Sequence, residues 1–361
     1  MSNDIREEYA GLPEIDCVVI GVNCSSTLAN CIESIRDADY PQRKLHIFYV
    51  DGGSTDDSRE VAGQCWGVRV IELNSVYPTP GAGRNAGWKK GSSPFVQFLD
   101  SDTLLDAGWL KRGIEAIEAE ESIGAVSGLR REIHPGSSVF NWIGDIEWNG
   151  HAGESECFGG DVLIRRLALV ATGGYDELLV AGEDPDLSRR IIRSGWKIVS
   201  LDALMTMHDL AMKTLGQYLR RAYRSGYGFA AVRLHEKRAG STFWRYDLRK
   251  ITIKGGGFMI SAALAIMLLI SGETPVTRLI ALFPLGVALC LLLAPRLFRI
   301  DKFMQELGLD RTAARRYAWH CSLVVIPQLF GVIRFHTGHI FGLPLRNRRN
   351  SLRTERSKTN R

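Results

Sequence analysis

The sequence predicts an α/β fold, a doubly wound parallel sheet, followed by an α-helical membrane hairpin. Three observations carry this. Short apolar runs alternate with segments of helical apolar spacing as far as Ala119, the pattern of strands separated by single helices. Several of those runs stop at an Asn or an Asp. Beyond Lys254, two long runs carry no charge apart from the turn between them.

Asp16 to Asn23 reads as a buried strand and Thr27 to Arg36 as the helix after it. His46 to Asp51 is a second strand, and Ser54 to Cys65 a helix opened by Ser, Thr and Asp as capping candidates. Val68 to Leu73 gives a third strand, Ala82 to Gly91 a helix, and Phe95 to Leu99 a fourth strand. Asp106 is placed as N-cap of a helix to Ala119, and Asp184, with Pro185 after it, as N-cap of a helix from Asp186 to Ser194. Lys197 to Leu201 reads as an edge strand. In such sheets ligands sit beyond the carboxyl ends of the strands, where Asn23, Asp51 and Asp100 stand.

Asp100 and Asp102 are separated by one residue at the end of an apolar run. On a strand, residues i and i+2 share a side, so the two carboxylates can converge on a hard cation such as Mg²⁺ or Mn²⁺. A solvated turn is the alternative. Gly81-Ala-Gly83-Arg-Asn-Ala86 formally satisfies a dinucleotide-binding fingerprint, but Pro78 and Pro80 precede it where that fingerprint needs a strand. A nicotinamide or flavin enzyme is therefore not expected.

The chain has 361 residues, 45% hydrophobic and 24% charged, enough for one large domain and an appendage. Gly255 to Gly272 and Leu279 to Ala294, joined by Glu273-Thr274-Pro275, fit two membrane-spanning helices, with a buried hairpin as the alternative. The net charge of +5 is concentrated at the end, since 346–361 alone holds +6. Beside apolar helices that tail suits anionic lipid headgroups rather than nucleic acid. Lys250 and Lys254 before the hairpin, and Arg296, Arg299 and Lys302 after it, place both flanks in the cytoplasm. A third apolar stretch, Tyr317 to Phe335, contains His320, Pro327, Gln328 and Arg334 and is expected to be re-entrant or interfacial. The N-terminal MSNDIREEYAGLPE has no apolar core, so no signal peptide is expected. Seven cysteines form no CxxC pair, and free thiols are expected.

The ordered series Asn23, Val50-Asp51-Gly52-Gly53-Ser54-Thr55-Asp56, Gly81-Ala-Gly83-Arg84-Asn85-Ala-Gly87, Asp100-Ser101-Asp102, Gly173-Gly174-Tyr175-Asp176 and Gly182-Glu183-Asp184-Pro-Asp186 closely resembles the family 2 glycosyltransferases of the GT-A fold, over about residues 14 to 235. The resemblance implies a nucleotide-diphospho-sugar transferase-like domain that inverts the anomeric carbon. Asn23, Asp51 and Gly53 would hold the nucleoside, with Arg84 and Asn85 at the diphosphate or donor sugar. Asp100 and Ser101 would lie at the ribose or a metal-bound water, and Asp102 and His208 would bind the metal. Glu183 and Asp184 resemble the acidic pair whose second member is the general base. Gly160 and Asp161 would line the acceptor cleft, and Gln217, Arg220 and Arg221 resemble a Gln-x-x-Arg-Trp element at the acceptor or diphosphate. Three departures stand out. Arg221 replaces the tryptophan, Ile20-Gly21-Val22 replaces a frequent Pro-Thr-Tyr, and Gly52 a frequent second aspartate.

The sequence thus leads to a membrane-anchored, metal-dependent inverting glycosyltransferase with a cytoplasmic catalytic domain in the cell (inner or plasma) membrane, acting on a lipid-linked or surface-glycan acceptor. The alternatives are a polyprenyl-phosphate monoglycosyl synthase and a non-catalytic nucleotide-binding scaffold. Expected boundaries are a polar tail (1–13), the catalytic domain (14–250), two spans (255–295), a basic or amphipathic segment (296–345) and a basic disordered tail (346–361).

Overall fold

The computed structural model describes residues 11–148 and 150–346. Apart from 11–13 and Arg346, the two expected terminal tails lie outside the described residues. Two compact units divide the chain after Ala211, the second running Met212–Leu345. The division falls well before residue 250, because the helix that follows Ala211 packs with the C-terminal helices.

The first unit is built on a sheet of nine strands in the order β3-β2-β1-β4-β8-β6-β9-β5, with β7 beside β9. These are β1 (Ile15–Gly21), β2 (Leu45–Asp51), β3 (Val68–Glu72), β4 (Phe95–Asp100), β5 (Thr103–Leu105), β6 (Ile123–Glu132), β7 (Gly153–Glu154), β8 (Val162–Arg165) and β9 (Lys197–His208). The helices of this unit are α1 (Leu28–Arg36), α2 (Ser58–Gln64), α3 (Pro80–Trp88), α4 (Trp109–Glu118), α5 (Val139–Glu147), α6 (Arg166–Thr172) and α7 (Glu183–Arg193).

Both faces of the sheet are covered, and the strands show it residue by residue. Cys17, Val19, Tyr49 and Leu99 join Leu28, Ile32, Trp109 and Ile114 in one core, whereas Val18, Phe48, Val96 and Phe98 join Leu187 and Ile191 in the other. The period of two splits each strand between two apolar layers, which is why these strands read as unbroken apolar runs.

The expectation of a parallel sheet holds for β3, β2, β1 and β4 and again between β6 and β9, and fails at β5, β7 and β8. β8 runs antiparallel to both β4 and β6, and β5 antiparallel to β9, so the sheet is mixed. Lys197 to Leu201 is not an edge strand. It begins β9, which lies between β6 and β5 and carries His208 as its last residue.

Two expected caps also move. Asp106 sits three residues before α4, its carboxylate accepting from the Gly108 N–H at 3.1 Å while Gly108 holds the N-cap position. α7 starts one residue before Asp184, with Gly182 at the N-cap position in the left-handed region (φ 86°), a conformation glycine adopts without strain.

The second unit is helical. It contains α8 (Leu215–Arg238), α9 (Arg245–Ile251), a π-helical turn (Thr252–Gly256), α10 (Gly257–Ser271), α11 (Pro275–Phe298), α12 (Ile300–Leu307), α13 (Arg311–Leu323) and α14 (Val325–Ile340). Three runs are long and apolar enough to cross a membrane: Arg245–Ser271, Pro275–Ala294 and Arg311–Ile340. Ile260, Ile270, Leu279 and Phe283 are exposed on the first two, as helices that face lipid require.

Candidate active site

The site is set by where the strands of the first unit stop. Gly21 pairs with Asp51 and Ile20 with Asp100, so both aspartates flank the carboxyl end of β1. Asp100 closes β4, Ser101 and Asp102 form a turn, and β5 follows. Thr103 pairs with His208 across β5 and β9. Strand alternation is therefore not what gathers Asp100 and Asp102. The turn and the β9 register do so, and they add a histidine.

The candidate ligand atoms of Asp100, Asp102 and His208 all lie within 4.8 Å of one another, and His208 Nε2 is 3.3 Å from Asp102 Oδ1. Two carboxylates and an imidazole form a donor set that a divalent cation can use. Burial, with Asp100 and Asp161 nearby, pushes Asp102 up to about 7. Trp148 packs its ring 4.8 Å from that of His208, with Arg130 on its face at 5.4 Å.

Arg84 organises the other half. Its side chain is 2% exposed and reaches Asp100 Oδ1 at 2.8 Å, Glu183 Oε1 at 3.2 Å and Asp184 Oδ1 at 3.5 Å, with the Tyr175 ring 5.4 Å from its guanidinium. The guanidinium is thus enclosed by the protein's own carboxylates. The resemblance placed Arg84 at the diphosphate or the donor sugar, whereas the partners it has here are carboxylates. Burial opposes ionisation of Asp100, but Arg84, Arg130 and His208 outweigh it and hold that carboxylate below its ordinary range. Asp184 goes the other way. Burial drives it up to about 8 against the pull of Arg84, and Glu183 and Asp100 add to the rise. Its Oδ1 is buried and accepts no hydrogen bond from the described residues.

Gly160 is needed where it stands. A Cβ there would lie 2.6 Å from Asp100 Oδ2 and 2.8 Å from Arg84 Nη2. Asp161, expected in an acceptor cleft, is instead buried beneath the site. It pairs with Arg130 at 2.9 Å and accepts from Thr206 Oγ1 at 2.7 Å and from the Asp100 N–H at 3.1 Å. It holds the end of β4 in place.

Asn85 is also a brace rather than a donor contact. Its Nδ2 donates to Tyr175 O and Glu177 Oε1, and its Oδ1 accepts from Tyr175 N–H and Trp88 Nε1, which uses its whole amide capacity. Asp51 is buried and accepts from the N–H groups of Gly53 and Ser54, shaping the loop after β2, where Gly53 takes φ 98°. Asn23 clamps that loop by accepting from Thr55 N–H at 2.8 Å. Ser101 is buried, and its N–H donates to Ile20 O.

Gln217, Arg220 and Arg221 belong to the second unit, on α8. Gln217 completes a capping box with Thr214, so its side chain serves the helix start, contrary to a ligand role. Arg220 and Arg221 are exposed.

Arg130, Thr206 and Trp148 were given no role in the sequence reading, and Tyr175 entered it only within the Gly173-Gly174-Tyr175-Asp176 motif. A strand over 123–132 would have exposed Arg130. The run Ile-Gly-Ala-Val-Ser-Gly-Leu carries that signal, interrupted by two glycines.

Residues 16–149 match the family described as glycosyl transferase family 2. Glycosyltransferase AglE of Haloferax volcanii is 22% identical over 225 residues, 60% of this chain and 73% of that protein. The pre-mycofactocin glycosyltransferase of Mycobacterium tuberculosis is 26% identical over 261 residues, 67% of this chain and 51% of its own length. Among solved structures, the mannosyltransferase PcManGT from Pyrobaculum calidifontis, in complex with GDP-Man and Mn²⁺, aligns with a TM-score of 0.59 at 16% identity, covering 89% of this chain and 87% of its own. That likeness is one of fold, a mixed α/β sheet of GT-A type followed by long helices.

Proposed function

We propose, from the premise that this chain carries a family 2 glycosyltransferase domain of the GT-A fold and takes its sugar from a nucleotide-sugar donor, that it works at a membrane as a metal-dependent inverting transferase. The acceptor class is a hydroxyl of a lipid-linked or surface glycan, and the catalytic unit lies on the cytoplasmic side. One observation carries the reading. A single buried guanidinium, Arg84, ties the acidic pair at the start of α7 to Asp100, which itself belongs to the Asp100, Asp102 and His208 cluster.

Asp102 and His208, with Asp100, would hold Mg²⁺ or Mn²⁺, and the Mn²⁺ of the Pyrobaculum complex makes manganese the first ion to try. Bound there, the ion would neutralise charge on the departing diphosphate. Asp184 Oδ1, which accepts no hydrogen bond from the described residues, takes the proton of the acceptor hydroxyl while that oxygen bonds to the anomeric carbon and the bond to the nucleoside diphosphate breaks. Glu183 and Asp100 hold Arg84, and Arg84 fixes the position of Asp184. The nucleoside would lie against the loops that Asn23, Asp51 and Gly53 shape. Arg220 and Arg221, exposed on α8, are candidates for acceptor contact.

The test is a panel of nucleotide sugars offered to the purified chain in detergent with Mn²⁺, Mg²⁺ or chelator, following nucleotide release. Release from one donor that needs the metal supports the reading. No release from any donor, with or without lipid acceptors, refutes it.

A further inference from the structure

The helix Arg311–Ile340 is as able to cross a bilayer as the two runs before it, by length and composition. Its packing points elsewhere. Half of its most apolar window is buried within the protein, against 11% and 17% for the other two. The partner is α8, which runs beside it in the same direction. Tyr218 OH is 2.8 Å from His320 Nδ1, and the Tyr227 ring lies 5.3 Å from Phe335.

Between those contacts the backbones touch. A Cβ on Gly226 would come 2.0 Å from Gln328 O, and one on Gly331 would come 2.0 Å from Tyr223 O. A seam that close fixes the two helices at one depth. α8 carries Arg220, Arg221, Arg224, Lys237 and Arg238 exposed along its length, and a helix charged from end to end does not cross hydrocarbon.

The ends of the hairpin agree. Gly255, just before α10, packs on Val325 O and Leu329, and Arg296, near the end of α11, lies 4.5 Å from the Trp319 ring. Helix 311–340 therefore meets the hairpin where both of its helices leave the membrane on one side. Tryptophan and arginine together suit that interface.

The face turned away from α8 is mainly apolar, with exposed Thr337 within it. Trp319, Leu323, Phe330, Ile333 and Ile340 are exposed at helical spacing, and Arg315 and Arg316 are exposed at its start. We propose that this stripe lies in the plane of the bilayer, immersed at the headgroup and acyl boundary of an anionic leaflet, so that the chain crosses twice and not three times. The stripe is continuous with the lipid-facing hairpin, and its basic edge suits anionic headgroups. The inference rests on the reading that α10 and α11 span the membrane.

Thr274→Cys, in the hairpin turn, Phe341→Cys and Glu120→Cys are made one at a time in the full chain with exposed Cys290 replaced by Ala. Each is treated with an impermeant maleimide in right-side-out and inside-out vesicles. Phe341→Cys should label from the same side as Glu120→Cys, and Thr274→Cys from the other. Labelling of Phe341→Cys from the Thr274 side means a third crossing and overturns the proposal. Should Thr274→Cys label from the Glu120 side, the hairpin reading has failed instead, and the immersion loses its premise with it.

An environment-sensitive dye on Phe330→Cys then identifies what covers the stripe. Quenching severalfold stronger by lipids labelled near the headgroup than by lipids labelled at the chain end supports immersion. A dye that no lipid quenches, with Phe330→Cys chains cross-linking to each other, makes the cover a second copy and refutes lipid.

Discussion

Asp184→Asn removes the proposed base and keeps its volume. With its carboxyl raised to about 8, Asp184 is about one-tenth ionised at pH 7 and about nine-tenths at pH 9, so kcat/KM for the acceptor should climb roughly tenfold across that interval. The Arg84 contact sets how far the limb can be moved. A unit charge pair about 4 Å apart at an effective dielectric near 20 is worth about 4 kcal/mol, or about three pH units. Arg84 and Asp184 are 3.5 Å apart with side chains only 2% and 15% exposed, so solvent screens them little. Arg84→Met should therefore carry the rising limb beyond the alkaline end of the assay. Initial rates of nucleotide release, measured from pH 6 to 9.5 with saturating donor and Mn²⁺, supply the profile. Asp184→Asn should lose about 10²- to 10⁴-fold and show no limb, while Glu183→Gln should retain one. A wild-type profile flat to pH 9, or an Asp184→Asn enzyme that keeps the limb, refutes the assignment. Full activity of Asp184→Asn on a polyprenyl phosphate would show an acceptor that needs no base.

Three further outcomes test the rest of the site. Asp102→Ala and His208→Ala should each abolish the increase in nucleotide affinity that Mn²⁺ brings, measured by calorimetry with and without chelator; an unchanged metal response would remove them as ligands. Asn85→Ala leaves buried partners unsatisfied and should lower stability by about 1–3 kcal/mol in denaturant unfolding while nucleotide affinity in the folded fraction survives. Loss of affinity without loss of stability would return Asn85 to the donor site. Gly160→Ala forces a methyl against Asp100 and Arg84 and should reduce turnover by roughly 10²-fold, as misplacement of about 1 Å does, with global stability changing far less.

The first half of the sheet was legible because its strands are buried on both faces and single helices part them, so β1, β2 and β4 read as apolar runs ending at Asp51 and Asp100. The second half was not, because β5 has three residues, β7 two, and β6 carries Gly124 and Gly128 within it. Asp100, Asp102 and His208 do come together, but a turn and the β9 register gather them, not strand alternation. Arg84 was singled out from its motif, but its carboxylate neighbours were not foreseen. Its burial depends on Gly160 and on α7, which are distant in sequence and unreadable from the local motif.

The departures at Ile20-Gly21-Val22 and at Gly52 are far apart in sequence, yet Val22 and Gly52 meet in the fold. A Cβ on Gly52 would lie 2.4 Å from Val22 Cγ2, and one on Gly21 would lie 2.5 Å from Ser101 Oγ. Val22 therefore occupies the space that a side chain at position 52 needs. Restoring aspartate there, as Gly52→Asp, should cost about 1 kcal/mol of stability, at the low end for overpacking because Val22 is half-exposed and can give way. Adding Val22→Ala should recover most of that cost, a coupling of at least about 0.5 kcal/mol. Denaturant unfolding of the two single variants and the double variant measures it. Strict additivity would mean that Val22 and Gly52 are unrelated, and the loop after β2 would then owe its shape to Asp51, Gly53 and Asn23 alone.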